Sequence, residues 1–133
     1  MFRLVAATVV LFEVFVTVGC SPSLARSPVI DGFARTVLKG ALAMPGEPFN
    51  STDLVLDDTP QRRVIGYRIE KSSAYLWYEH GGRGYHHHLV RFAATPPYTI
   101  EESYACRASD HHTIEELIAD SEFLMSCLHS EEL

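Results

Sequence analysis

The sequence is short of basic residues, and this shortage excludes one class of partner. Lysine and arginine together number 11 against 17 aspartates and glutamates, which gives a formal net charge of -6 at pH 7. A chain of this charge lacks the excess of cations that binds a phosphate backbone, so we expect no nucleic-acid partner. Its 133 residues leave room for one small domain but not for two of ordinary size.

The sequence also lacks the short motifs of common catalytic sites. It contains no Gly-X-Ser-X-Gly nucleophile motif and no His-Glu-X-X-His zinc motif. The run Gly81-Gly82-Arg83-Gly84 lies between two predicted strands, which is typical of a hairpin loop rather than of a phosphate-binding loop before a helix. We therefore predict no catalytic residue, no cofactor and no enzymatic activity.

The N-terminus carries an export signal. Arg3 precedes an apolar run from Leu4 to Val18 that is interrupted by Glu13. This run is shorter than the roughly 20 residues that a membrane-spanning helix needs, so a permanent transmembrane anchor is the weaker interpretation. The mature chain is expected to leave the cytosol.

The end of this segment, Gly19-Cys20-Ser21-Pro22, resembles the lipobox of bacterial lipoproteins. The resemblance implies a signal peptide over residues 1–19, acylation of Cys20 as the first mature residue, and a tether over residues 20–27. Ser21 resembles the outer-membrane sorting signal, so we expect a periplasmic protein that is lipid-anchored to the outer membrane. The alternative is a plain secretory signal cut after Ala25, which would give a secreted protein.

Cysteine is scarce, with three residues in the chain. Cys20 would be consumed by the lipid or lost with the signal, which leaves Cys106 and Cys127 as an even pair in an oxidising compartment. We predict a disulfide bond between them.

Helical spacing of apolar residues predicts a helix at each end of the mature chain. Ser27-Pro28 is a helix-start signal, and the pattern after it predicts a helix over Pro28–Met44. Thr113 and Glu116 have the spacing of a capping box, and the apolar stripe after them predicts a second helix that extends to Leu128.

Alternating β-branched and aromatic residues between the helices predict strands joined by short turns. The predicted strands are Arg62–Glu70, Ala74–His80, Tyr85–Ala94 and Tyr98–Cys106. An antiparallel meander is the simplest topology for them. The predicted fold over residues 28–133 is therefore a single α+β domain with an N-terminal helix, a four-stranded meander and a C-terminal helix, with both helices packed on the aromatic face of the sheet.

Pairing the strands directly around their turns predicts which residues share a face. The core face would hold Ile65, Tyr67, Ile69, Tyr75, Trp77, Val90, Phe92, Ile100 and Tyr104. The other face would be a mostly solvated surface that includes Ala74, Leu76, Arg91 and Glu101.

The same register predicts a row of metal-ligating side chains. Glu79, His86 and Cys106 would lie side by side on three adjacent strands, with His88 two residues along on the same face. Carboxylate, imidazole and thiolate are zinc ligands, so a zinc site is one interpretation. The other interpretation, which we favour, is that these histidines line the rim of the core and that the protein holds no metal.

Export, a tether, small size and the lack of a catalytic motif favour a protein-binding or inhibitor module, such as an immunity-like protein that occludes an unidentified envelope protein. A metal-binding protein or metal-dependent hydrolase that uses His86 and His88 together with Glu79 or Cys106 is the first alternative. A structural subunit of an envelope assembly is the second.

Overall fold

The computed structural model describes residues 24–54 and 58–129. The fold is α+β, with a five-stranded antiparallel sheet in the order β1-β2-β3-β4-β5 and short helices before β1 and between β4 and β5. Its strands are β1 (Arg62–Ile69), β2 (Ser73–His80), β3 (His86–Ala93), β4 (Ile100–Cys106) and β5 (Leu128–His129). The predicted signal peptide and Cys20 lie outside the described residues.

The first four strands match the predicted meander to within two residues at each end, whereas β5 was not predicted. This two-residue strand pairs with Tyr104 and Ala105 at the edge of β4. The sequence pattern had placed Leu128 at the end of a helix, because an apolar residue at helical spacing looks the same when it closes a sheet edge.

The N-terminal helix is shorter than predicted. Helix α1 spans Pro28–Phe33 and continues as a π-helical segment over Ala34–Leu38, which ends at Lys39 with a φ of 54°. The chain then extends along β1, where the Ala43 N–H donates to the Arg62 carbonyl at 2.9 Å and the Ala43 carbonyl accepts from the Val64 N–H at 2.8 Å. The predicted helix to Met44 is wrong because these residues cover the open edge of β1 instead.

The C-terminal helix is divided into α2 (Ile114–Ala119) and α3 (Ser121–Ser126). Asp120 lies between them with a non-helical ψ of 80°, and its carboxylate caps α3 by accepting from the Phe123 N–H at 2.8 Å. The predicted cap of α2 is confirmed, since the Thr113 hydroxyl accepts from the Glu116 N–H at 3.2 Å. None of the described helices is long and apolar enough to span a membrane.

Apolar residues cover both faces of the sheet, and the two helical regions lie on opposite faces. Under α1, Phe33 stacks on Phe92 with ring centroids 3.9 Å apart. That layer also contains Val64, Ala74, Leu76, Tyr78 and Val90. The C-terminal helices cover the other layer, which is built on Trp77, Leu89, Ile114 and Leu117. The prediction that Ala74 and Leu76 face solvent, and that both helices share one face, is therefore wrong.

The strand register also differs from the prediction at all three pairs of long strands. On β1 and β2, Ile69 pairs with Ala74 rather than with Tyr75. The loop between β2 and β3 holds five residues rather than four, so His80 pairs with His86 and Trp77 pairs with Leu89. On the next pair of strands, Phe92 lies opposite Ile100 as predicted, but a bulge at Glu101 moves Arg91 opposite Glu102. Each shift transfers the following side chains to the other face of the sheet.

Candidate metal centre

Three histidines meet at one end of the sheet, on the face that α1 covers. His80 ends β2, and His86 and His88 lie on β3, with His86 directly opposite His80. One ring nitrogen from each side chain lies within 4.8 Å of the others. His88 is buried with 3% exposure, while His80 and His86 are half-buried at the rim. We call these residues the three-histidine cluster.

The hydrogen bonds of His86 and His88 fix which nitrogens face each other. His86 Nδ1 lies 2.6 Å from the Gly84 carbonyl oxygen, which only accepts, so Nδ1 carries the proton and neutral His86 has a lone pair on Nε2. This Nε2 lies 2.8 Å from Nε2 of His88, which must then donate. Nδ1 of His88 is buried without a partner among the described residues. A metal ion can therefore replace the shared proton, and His88 can move its proton to Nδ1 without losing another hydrogen bond.

The surroundings keep the imidazoles of His80 and His88 neutral. Burial, followed by the charges of Arg62 and His86, lowers the pKa of His80 to about 4. Burial, followed by electrostatic interactions with the neighbouring histidines and Arg62, lowers the pKa of His88 to about 3. Both rings are therefore deprotonated at neutral pH, which is the state in which imidazole binds a metal.

Arg62 and Tyr78 lie behind the cluster. Tyr78 is fully buried and stacks on His88 with ring centroids 5.0 Å apart. Burial raises the pKa of Tyr78 to about 12, although the adjacent Arg62 guanidinium acts in the opposite direction. Arg62 also donates to the Leu38 carbonyl at 3.4 Å, which joins this end of the sheet to the π-helical segment.

A second polar network occupies the opposite face of the same strands. Glu79 lies across from His87, and the Tyr85 hydroxyl contacts both by donating to the Glu79 carboxylate and lying 3.1 Å from His87 Nε2. Arg63 Nε donates to the other Glu79 oxygen at 2.5 Å. Burial and the bond to Glu79 raise the pKa of Tyr85 to about 12, whereas burial lowers the pKa of His87. We call these four residues the Glu79 network.

The predicted row of ligands is thus divided between the two faces. His86 and His88 lie together, but Glu79 faces the other side and pairs with His87. Cys106 lies opposite His87 and forms the predicted disulfide with Cys127, with the two Cα atoms 4.6 Å apart. The structure therefore corrects the proposed ligand set of His86, His88, Glu79 and Cys106, because neither Glu79 nor Cys106 belongs to the three-histidine cluster.

Sequence reasoning missed His80 because it assigned the loop four residues. A five-residue loop would have paired His80 with His86 and brought three imidazoles onto one face. The available signal was the even spacing of His86 and His88, which places two histidines on the same face of a strand in any register. Tyr85, which the prediction placed in the strand, instead belongs to the loop and contacts Glu79.

The cluster has the chemistry of a transition-metal site. Tetrahedral zinc with Zn–N distances near 2.1 Å holds its ligand nitrogens about 3.4 Å apart. The separations in the cluster, 2.8 Å between His86 Nε2 and His88 Nε2 and at most 4.8 Å overall, bracket this value. Three imidazoles also leave one coordination position open, as in catalytic zinc sites.

Comparisons with protein-family models, curated proteins and solved structures found no match for this chain.

Proposed function

We propose that this protein is an exported metal-binding protein of the cell envelope that holds a divalent transition-metal ion on His80, His86 and His88. The observation that carries this proposal is the convergence of three imidazole nitrogens within 4.8 Å. Because the site contains only imidazole donors, we expect Zn²⁺, Cu²⁺ and Ni²⁺ to bind and Mg²⁺ and Ca²⁺ not to bind.

Envelope location is part of the proposal, and contacts near the N-terminus support a chain that begins at Cys20. Leu24 packs against the core, and the Ala25 carbonyl accepts from the Tyr67 hydroxyl at 2.5 Å. Cleavage after Ala25 would remove both contacts. Cleavage before Cys20 would retain them and leave a short tether between a lipid and the folded domain.

Calorimetric titration of the full chain, prepared without a polyhistidine tag, tests metal binding. We expect one Zn²⁺ per chain, and about 10- to 100-fold weaker binding after His86→Asn or His80→Asn, because each variant removes one ligand. His112→Asn provides the matched control, since His112 is exposed and lies outside the cluster. Equal zinc affinity in all four proteins, or no zinc binding by the wild type, would contradict the proposal.

A protein-binding or inhibitor role is the second candidate, and an exposed apolar surface favours it. Met125 and Leu128 are 80% and 76% exposed. Met125 lines a groove of about 370 Å³ together with Tyr104 and Leu124. Large apolar side chains that project into solvent beside a groove are typical of protein interaction sites.

Affinity capture from envelope extract tests this second role, with Met125→Asp as the matched bait. A single stoichiometric enzyme that the wild type retains and inhibits, and that the variant does not retain, would support an inhibitor. Several membrane-assembly subunits would instead support the structural alternative. Identical capture by both baits would contradict a docking role for this surface.

A further inference from the structure

The three-histidine cluster carries no negative charge of its own. It contains no carboxylate among the described residues. Among the described residues, the side chains that act electrostatically on His80 and His88 are Arg62 and other histidines. Glu79, the nearest acid along β2, faces the opposite side and is bound by Arg63 and Tyr85.

A divalent ion at this position would therefore have no acidic ligand among the described residues. Three neutral imidazoles leave the full charge of the ion uncompensated. An uncompensated charge at a site as buried as His88 is costly, whereas an anionic ligand in the open coordination position neutralises part of it. This charge balance favours an anion over a neutral molecule as the additional ligand.

A groove beside His86 indicates what kind of anion fits. It has a volume of about 460 Å³ and is lined by apolar side chains that include Ala105, Phe123 and Leu128. Arg107 supplies a positive charge in the same lining. His86 belongs both to the groove and to the cluster, so the groove adjoins one of the three candidate ligands. An apolar wall with a cation favours an organic anion over a simple inorganic one.

We propose that the metal ion held by His80, His86 and His88 takes an organic carboxylate as its additional ligand, with the apolar part of that molecule in the groove beside His86. This inference rests on the proposed metal-binding function. It specifies the protein as a receptor for a metal together with a small carboxylate, rather than as a site for the metal alone.

Cobalt replaces zinc in the test, because the visible absorption of Co²⁺ reports its ligands. The full chain is first titrated with Co²⁺ alone, and the loaded protein is then titrated with benzoate, formate or benzyl alcohol. We expect benzoate to change the cobalt spectrum at concentrations at least about tenfold lower than formate, since partial burial of a phenyl ring contributes that much. Benzyl alcohol, which has the ring but no charge, is expected to leave the spectrum unchanged.

Variants separate the groove from the metal site. Arg107→Gln should weaken benzoate binding several-fold, by up to about tenfold, without changing cobalt affinity. Arg35→Gln, which removes an exposed arginine on the π-helical segment, should change neither. Cobalt binding without any response to carboxylates, or equal responses to benzoate and formate, would overturn this inference and leave the metal site intact. A chain that binds no cobalt would overturn both proposals.

Discussion

Glu79 and His87 lie directly opposite each other on β2 and β3, and the hydroxyl of Tyr85 joins their side chains. Both residues are more than nine-tenths buried. Their backbone segments also carry His80, His86 and His88 on the other face. The Glu79 network therefore holds the two strand ends from which the three-histidine cluster projects.

Removing the Tyr85 hydroxyl should destabilise the protein. In Tyr85→Phe, Glu79 and His87 each lose a hydrogen-bond partner in a buried position, so we expect the free energy of unfolding to fall by about 1–3 kcal/mol. Urea denaturation measures the change. Tyr75→Phe is the matched control, because Tyr75 lies on the same face but takes no part in the network, and it should change stability by less than about 0.5 kcal/mol. Equal effects of the two variants would refute a specific role for the hydroxyl.

The disulfide should stabilise the chain without contributing to metal binding. Cys106 and Cys127 are 21 residues apart, and a crosslink over a loop of this length contributes about 3 kcal/mol on the chain-entropy model. Replacing both by serine should lower the urea midpoint accordingly. Zinc stoichiometry should remain one per chain, since neither cysteine belongs to the cluster. Loss of zinc binding from a folded double variant would contradict this prediction and support Cys106 as a ligand.

The stability of the metal-free protein should fall as the pH drops from about 6.5 toward 5. The folded-state pKa values of His80 and His88 are about 4 and about 3, below the value near 6.5 in an unfolded chain. In this range the unfolded state binds more protons than the folded state, so stability increases with pH. Glu47, Glu116 and Asp120 have lowered pKa values and contribute only at more acidic pH.

Urea denaturation at intervals between pH 5 and 7 measures this dependence. His80→Asn should flatten the curve, because it removes one of the titrating groups. His112→Asn should leave the slope unchanged, since His112 does not belong to the cluster. A stability that is constant from pH 7 to 5 would contradict the burial of neutral His80 and His88.

A methyl group at Gly81 should disturb both the fold and the metal site. A Cβ there would lie 2.1 Å from the Asn50 carbonyl oxygen and 2.7 Å from the Ser51 Cα, and both of these are backbone atoms that cannot rotate away. We expect Gly81→Ala to destabilise the chain by about 1–3 kcal/mol and to weaken zinc binding, because Gly81 follows His80 directly. Gly40→Ala is the control, since its nearest neighbour would be at an ordinary distance of 3.6 Å. An unaltered zinc affinity in Gly81→Ala would show that the backbone at Gly81 does not affect the metal site.

The tether remains a prediction of the sequence. Cys20→Ser should release the protein from the membrane fraction and remove the mass of the lipid from the mature chain. Fractionation and mass spectrometry check this outcome. Unchanged fractionation and mass would contradict the lipoprotein interpretation and leave secretion as the alternative.

The sequence pattern predicted the bounds of the strands more accurately than the register between them. Alternation of residue types located all four long strands, because a strand between two apolar layers still changes face at every residue. Alternation cannot show how strands align, and here both faces are apolar, so the pattern did not identify which face was buried. Leu76 and Trp77 are adjacent in the chain and both are buried, on opposite sides of the sheet.

The candidate site shows the same division between local and long-range information. The pair His86 and His88 and the disulfide followed from spacing and compartment. His80 could not be predicted as a third member of the site. Its position opposite His86 depends on the length of the loop after His80 and on the contact between Tyr85 and Glu79, which keeps Tyr85 out of the strand. The end of the N-terminal helix was predicted wrongly for a comparable reason, since Ala43 forms backbone hydrogen bonds with the edge of β1.

The loop between β2 and β3 imposes a constraint on how this protein can vary. Arg83 is exposed in this loop, so we expect substitutions there to leave the strand register unchanged. A net insertion or deletion of one residue would slide β3 past β2 by one position. His87 would then share a face with His80, while His86 and His88 would share a face with Glu79. A single codon gained or lost there would dismantle the three-imidazole arrangement and create a pair of histidines beside a carboxylate. Variants of this chain that retain the cluster should therefore differ in the composition of this loop but share its length.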